Sequence, residues 1–180
     1  MNRVTPINSP NDIPPQYRGT PVARLIAYQN FGQPAEEQLP RAEILVGMCM
    51  DNRKKLRIPE NFAFVLRSGG GNLRPSEFKV SYAIAVGGVR AIALFAHNHC
   101  GMVGISNRRQ QFVDGLVDAG WDREVAEQHF EAFAPIFEIG NEIDFVLSEA
   151  RRLRARYPKV LVAPLYYDVE NNRLSCIEED

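Results

Sequence analysis

The sequence predicts an α/β fold, with a central, mostly parallel sheet flanked by helices. Three observations predict it. Apolar runs of strand length occur at residues 43–48, 62–66, 91–96 and 159–167. Helix-patterned or crossover segments separate them. The run at 91–96, Ala-Ile-Ala-Leu-Phe-Ala, is apolar throughout and does not alternate. Strands covered by helices on both faces read this way.

The elements follow in order. Residues 1–19 hold several prolines and no apolar period, and are expected to form a flexible N-terminal arm. Thr20-Pro21 is a helix start, an N-cap followed by proline, with Val22, Leu25, Ile26 and Tyr28 giving an apolar face. The first strand covers 43–48 and the second 62–66. Pro75 opens a helix to about residue 86, ended by Gly87-Gly88. The strand 91–96 follows, then helices at 107–119, at 122–133, and from an Asn141 cap, where Ile143, Val146, Leu147, Ala150 and Leu153 keep helical spacing. A strand at 159–167, a turn at 170–173 and a short return strand at 174–177 close the chain.

With 180 residues, 45% of them hydrophobic, the chain suits one domain with a sizeable core, expected at 20–180. A formal net charge of −1 gives no electrostatic reason to expect nucleic acid or anionic lipid as a partner. The arginine-rich stretch 151–156 falls near the end of a helix, where the dipole favours cations. No stretch approaches the roughly 20 apolar residues of a membrane span. The N-terminus has no apolar run of signal-peptide length. Three cysteines do not suggest a disulfide framework, so a reducing, cytoplasmic compartment is expected.

Chemistry concentrates after two strands. Open α/β sheets bind ligands beyond the C-terminal ends of their strands. The first strand runs into Cys49-Met50-Asp51-Asn52-Arg53, the third into His97-Asn98-His99-Cys100-Gly101. Thiolate and imidazole are zinc ligands, and three protein ligands leave a fourth position for water. One tight turn can aim His97 and Cys100 at the same ion. Asp51 is placed to accept a hydrogen bond from water there, and Arg53 to keep it ionised. Taken singly, Cys49 reads as a core residue and Asp-x-Arg as a surface ion pair. The combination after buried strands carries the metal reading. A structural zinc site closed by Cys176 stays open as an alternative. The run Gly69-Gly70-Gly71 has no phosphate-loop continuation, and reads as a turn permitting close backbone approach. His129, mid-helix, is expected to be half buried or exposed.

These segments resemble a known family. Cys-x-Asp-x-Arg and His-x-x-Cys-Gly are the two signatures of the β-class carbonic anhydrases. Phe-Ala-Phe-Val-Leu-Arg at 62–67 resembles that family's Val-Ile-Arg strand, and Ser-Tyr-Ala-Ile at 81–84 its Glu-Tyr-Ala-Val helix. The stretch 165–174 resembles its final strand and turn, so the likeness spans about residues 40–180. It implies Zn²⁺ held by Cys49, His97 and Cys100, a catalytic dyad of Asp51 and Arg53, and an apolar pocket lined by Phe64 and Tyr82. Gln38 is the candidate for positioning substrate. The implied reaction is reversible hydration of carbon dioxide by zinc-bound hydroxide. The implied assembly is a homodimer or higher, with pocket residues crossing the interface. Carbonyl sulfide or carbon disulfide hydrolysis is the rival activity, and a non-catalytic zinc module the rival class. Two thiolates offset the zinc charge, so activity is expected to rise toward alkaline pH. Two departures from the family stand out: Ser68-Gly69-Gly70 replaces Asn-Ala-Gly, and His99, a surface residue or a proton relay, stands where smaller or acidic residues are usual.

Overall fold

The computed structural model describes residues 3–32 and 39–179. Six strands form one mixed sheet: β1 (Val4–Pro6), β2 (Ile44–Cys49), β3 (Ala63–Ser68), β4 (Ala91–His97), β5 (Leu161–Asp168) and β6 (Arg173–Ile177). Their spatial order is β1-β6-β5-β4-β2-β3. The four strands β3, β2, β4 and β5 run parallel, while β6 and β1 are antiparallel additions at one edge. Among the described residues five α-helices flank it: α1 (Pro21–Phe31), α2 (Glu77–Ala85), α3 (Arg109–Asp118), α4 (Arg123–Phe137) and α5 (Glu142–Arg156). The mostly parallel α/β expectation holds.

Side-chain alternation in the central strands builds a core on each face. Ile44, Val46 and Met48 of β2 join Ala91, Ala93 and Phe95 of β4 in a cluster that includes α1 residues. Leu45 joins Ile92, Leu94 and Ala96 against residues of α2 and α5. Gly47 sits where the sheet is tightly packed, since a Cβ there would stand 2.8 Å from Leu73 Cδ1 and 2.9 Å from Leu94 Cδ2, and these side chains would have to shift.

The segment expected as a flexible arm, 1–19, is instead tied into this core in its described part. β1 pairs with β6, and Ile7, Ile13 and Tyr17 are buried. The amide of Asn30, at the end of α1, donates to the carbonyls of Ile7 (3.0 Å) and Leu174 (2.7 Å), joining the segment to the helix and the sheet. Tertiary hydrogen bonding supplies what local periodicity lacked.

Two caps act where expected, Thr20 Oγ1 accepting from Val22 N–H and Asn141 from Ile143 and Asp144, and Asp122 caps α4 as well, accepting from Glu124 and Val125. α4 runs one turn past residue 133, through Pro135. Proline near a helix end removes one hydrogen bond, and burial of Phe130 and Ala134 keeps the helix docked. The arginine-rich end of α5 is neutralised by carboxylates as well as favoured by the dipole. Arg152 pairs with Glu149 and Glu77, Arg154 with Glu179, and Arg156 with Glu77.

Candidate metal centre

β2 and β4 are parallel neighbours, in register at Gly47 and Leu94. Their C-terminal residues, Cys49 and His97, therefore emerge side by side. Beyond His97 the chain turns through His99, a non-glycine residue with φ +54°. This left-handed conformation is uncommon for side-chain-bearing residues, although histidine is among those that adopt it most readily. It returns Cys100 to the strand ends. Cys49 Sγ, Cys100 Sγ and a His97 ring nitrogen lie within 4.8 Å of one another, all buried.

Two details fit this group to a metal ion. His97 Nδ1 donates to the Asn98 carbonyl at 2.9 Å, which leaves the Nε2 lone pair free. That Nε2 is buried and has no hydrogen-bond partner, an arrangement that costs stability unless a ligand fills it. The two sulfurs stand 4.0 Å apart. Thiolates about 2.3 Å from one tetrahedral zinc ion are separated by roughly 3.8 Å. A donor set of two thiolates and one imidazole suits zinc and leaves one position open.

The two thiols titrate as a pair. Cys49 is held well below the ordinary thiol range, first by the hydrogen bond from Cys100 and further by His97 and the Lys54 ammonium, against the opposing effect of burial. Cys100 is pushed up by the same bond and by burial. Cys176 lies in a different cluster, across from Leu165 in β6, and burial alone raises its thiol to about 11. It is not part of the metal group. The four-ligand structural site is thereby corrected: β6 is separated from β2 by β5 and β4, so Cys176 cannot close the tetrahedron.

Asp51 stands beside the triad, outside the group of ligand atoms. Arg53 grips it with Nε 3.0 Å from Oδ1 and Nη2 2.6 Å from Oδ2, while the Arg53 backbone N–H donates to Oδ1 at 2.9 Å. The Arg53 hydrogen bonds hold the Asp51 carboxyl far below the usual carboxylate range. Nη2 of Arg53 also donates to the His99 carbonyl at 3.0 Å. One guanidinium therefore ties the loop after β2 to the turn after β4. Arg67 at the end of β3 braces the same loop, donating to the carbonyls of Asp51 (3.3 Å) and Lys54 (3.2 Å). His99 itself is exposed, its Nε2 3.7 Å from a Glu170 carboxylate oxygen.

The apolar wall of the centre comes from Ile139, Met102, Val103 and Phe145. Met102 also lines a cleft of about 220 Å³ whose other walls include Met50, Gly69, Ile105, Phe112 and Phe133. The glycine run shapes this region. A Cβ on Gly69 would lie 2.9 Å from Met102 Sδ, and Gly71, at φ +75°, packs against Phe95 O and Cys49 N. His129 also faces the cleft, its ring 4.8 Å from that of Phe133 and 5.3 Å from that of Trp121.

Not every expected site residue joins the triad. Phe64 packs with the cluster beneath α2 and α5, not with the cysteines. Tyr82 is half exposed on α2, in line with exposed Phe78 and Val86. Gln38 lies outside the described residues. Lys54 was not legible as a site residue. Its side chain is 2% exposed, and Nζ has no hydrogen-bond partner.

Comparison with solved structures places the architecture. The chain superposes on a β-carbonic anhydrase from Trichomonas vaginalis with a TM-score of 0.64, at 16% identity, covering 84% of this chain and 92% of that one. The fold is that of the β-carbonic anhydrases. The carbonic anhydrase from Glaciozyma antarctica gives a TM-score of 0.59 at 21% identity, covering 90% and 98%. The apo form of a carbon disulfide hydrolase gives 0.55 at 18%, covering 79% and 82%. No protein-family model and no curated protein sequence matches the chain. Among the described residues, no helix is long and apolar enough to cross a membrane.

Proposed function

We propose that the protein is a zinc enzyme that interconverts carbon dioxide and bicarbonate. The observation that carries this reading is the buried, unpartnered His97 Nε2, grouped with Cys49 and Cys100 beside a carboxylate that Arg53 keeps ionised and outside the ligand group. Zinc, when bound, supplies a Lewis acid that lowers the pKa of water and makes hydroxide available. Cys49, His97 and Cys100 hold the ion. Asp51 accepts a hydrogen bond from the reacting water and orients it. Arg53 holds Asp51 in its anionic form, so that it acts as an acceptor. Met102, Val103, Ile139 and Phe145 give the apolar substrate a water-poor surface beside the site.

Phe64 and Tyr82 complete the pocket from a second copy of the chain, and Gln38 positions substrate. Two features support the second copy. β3 is an edge strand with Val65 exposed. Phe78, Tyr82 and Val86 expose an apolar stripe at helical spacing on the adjoining α2. Light scattering is expected to give a dimer or higher oligomer, and Phe78→Glu to dissociate it and depress activity together. A monomeric, fully active wild-type protein would refute the shared pocket.

A sulfur-substrate reading is favoured by one observation, the apolar cleft that adjoins the centre through Met102. Stopped-flow assays on protein with measured zinc content separate the two activities. Carbon dioxide hydration at one zinc per chain supports the first reading. Hydrolysis of carbonyl sulfide or carbon disulfide without hydration supports the second, and zinc with neither activity overturns both.

A further inference from the structure

α2 is nine residues long, far below the length at which an isolated helix is stable in water. Its N-cap residue, Ser76, supplies no side-chain hydrogen bond. The side chain of its first residue, Glu77, anchors it instead. Arg152 Nη1 donates to Oε2 at 2.7 Å, Tyr157 Oη donates to Oε1 at 2.7 Å, and Arg156 Nε stands 2.7 Å from Oε1. Arg152 is held in turn. Its Nε and Nη2 fork onto Glu149 at 2.9 and 2.7 Å, and Arg74 Nε, just before α2, donates to the same carboxylate at 3.3 Å. Solvated surface ion pairs hold little, but Glu149 is 1% exposed. A buried carboxylate met by two guanidiniums favours one arrangement of the groups around it. The start of α2 and the turn before it are both tied to α5 in this way.

The other end of α2 holds Phe64 and Tyr82 together. The N–H groups of Val86 and Gly87 donate to the Tyr82 carbonyl at 2.9 and 3.1 Å. Gly87 makes room for Phe64, since a Cβ there would stand 2.5 Å from Phe64 Cε2 and 2.7 Å from the Ala83 carbonyl oxygen. From Glu77 to Tyr82 the helix rises about 7.5 Å, so a tilt at its start displaces both rings. The metal group of the same chain draws on β2, β4 and the turn after β4, none of which the network touches.

On the zinc-enzyme reading with its shared pocket, on which this rests, we infer that Glu77, braced by Arg152 and Glu149, is a positioning residue that aims Phe64 and Tyr82 of one protomer into the pocket of its partner. The network serves the neighbouring site and not its own.

Glu77→Ala tests this. Alanine suits a helix, and no buried charge is stranded, because Arg152 retains Glu149 and neither Arg156 nor Tyr157 is buried. Zinc content is expected to stay unchanged and activity to fall about tenfold or more, the order of loss that misplaced pocket groups cause. Glu77→Gln, which keeps one side-chain acceptor, is expected to lose less and serves if the alanine variant fails to fold. The deciding measurement uses mixed pairs, purified through two affinity tags from cells producing both chains. One chain carries Glu77→Ala, and the other His97→Ala, which cannot complete the metal group. One of the two sites in such a pair joins an intact metal group to an intact α2, so about half of the wild-type activity is expected to return. A mixed pair no more active than the Glu77→Ala protein overturns the inference, because the network would then serve its own chain. Activity of Glu77→Ala within about threefold of wild type, or loss of its zinc, also overturns it. Zinc-loaded wild-type protein active on neither carbon dioxide nor the sulfur substrates overturns the zinc-enzyme reading, and a fully active monomer overturns the shared pocket; either takes the role of Glu77 with it.

Discussion

Replacing Arg53 by methionine removes the guanidinium that joins Asp51 to the His99 carbonyl, while leaving the aliphatic stem. The bonds lost are those from Nε to Oδ1 and Oδ2, and from Nη2 to Oδ2 and to the His99 carbonyl, at 2.6–3.2 Å. Asp51 retains the backbone N–H of residue 53 as a donor. A fully buried pair broken on one side loses about 3–5 kcal/mol, and an exposed one about 0–1. The Asp51 side chain is 13% exposed and that of Arg53 45%, so the cost at neutral pH is set between these, at about 2 kcal/mol. A domain of this size then melts roughly 4–8 °C lower. The pH dependence identifies the cause. Arg53 lowers the folded-state pKa of Asp51, so the stabilisation is complete above the unfolded carboxyl pKa of about 3.9 and is lost as pH falls through the lower folded value. Urea unfolding of both proteins, at fixed metal content and concentration, should show the full gap at pH 7 and a smaller one at pH 3.5. A gap below about 0.5 kcal/mol at pH 7, or one unchanged at pH 3.5, would refute the reasoning.

Other substitutions test separate parts of the structure. His99→Gly relieves a left-handed residue and is expected to stay within about 1 kcal/mol of wild-type stability, whereas His99→Val, β-branched at φ +54°, should lose about 1–2 kcal/mol and bind metal more weakly in a chelator competition. Cys176→Ser should leave zinc content unchanged and lower stability by about 1–2 kcal/mol, because it places a hydroxyl in an apolar cluster; loss of zinc would return Cys176 to the ligand set. Gly47→Ala drives a methyl group against Leu73 and Leu94 and is expected to cost about 1–3 kcal/mol by denaturant titration.

The centre of the fold was legible because its signals are local. Ile-Leu-Val at 44–46 and the apolar run at 91–96 are strands on sight, and Cys49, His97 and Cys100 follow them directly. Ile7, Ile13 and Tyr17 were not legible as core, because prolines break any period and their burial depends on packing and hydrogen bonds with α1 and β6. Lys54 was hidden for the opposite reason. A lysine after Asp-Asn-Arg reads as solvated, and only its burial, in a loop that Arg67 and Tyr167 brace from β3 and β5, shows that it is turned inward. Phe64 and Tyr82 lie apart from the triad within one chain, and their place in the pocket rests on the second copy proposed above.

The two edges of the sheet are unlike. On one side the last strand is β1, three residues long and ending at Pro6, which has no N–H to offer a newcomer. On the other, β3 presents six residues with Val65 outward. In the shared-pocket assembly proposed above, two copies that joined edge to edge through β3 would each cover the other's free edge and leave β1 at both ends. The short β1, closed by a proline, would then offer little to a third sheet, and the sheet would not extend into a ribbon through that edge.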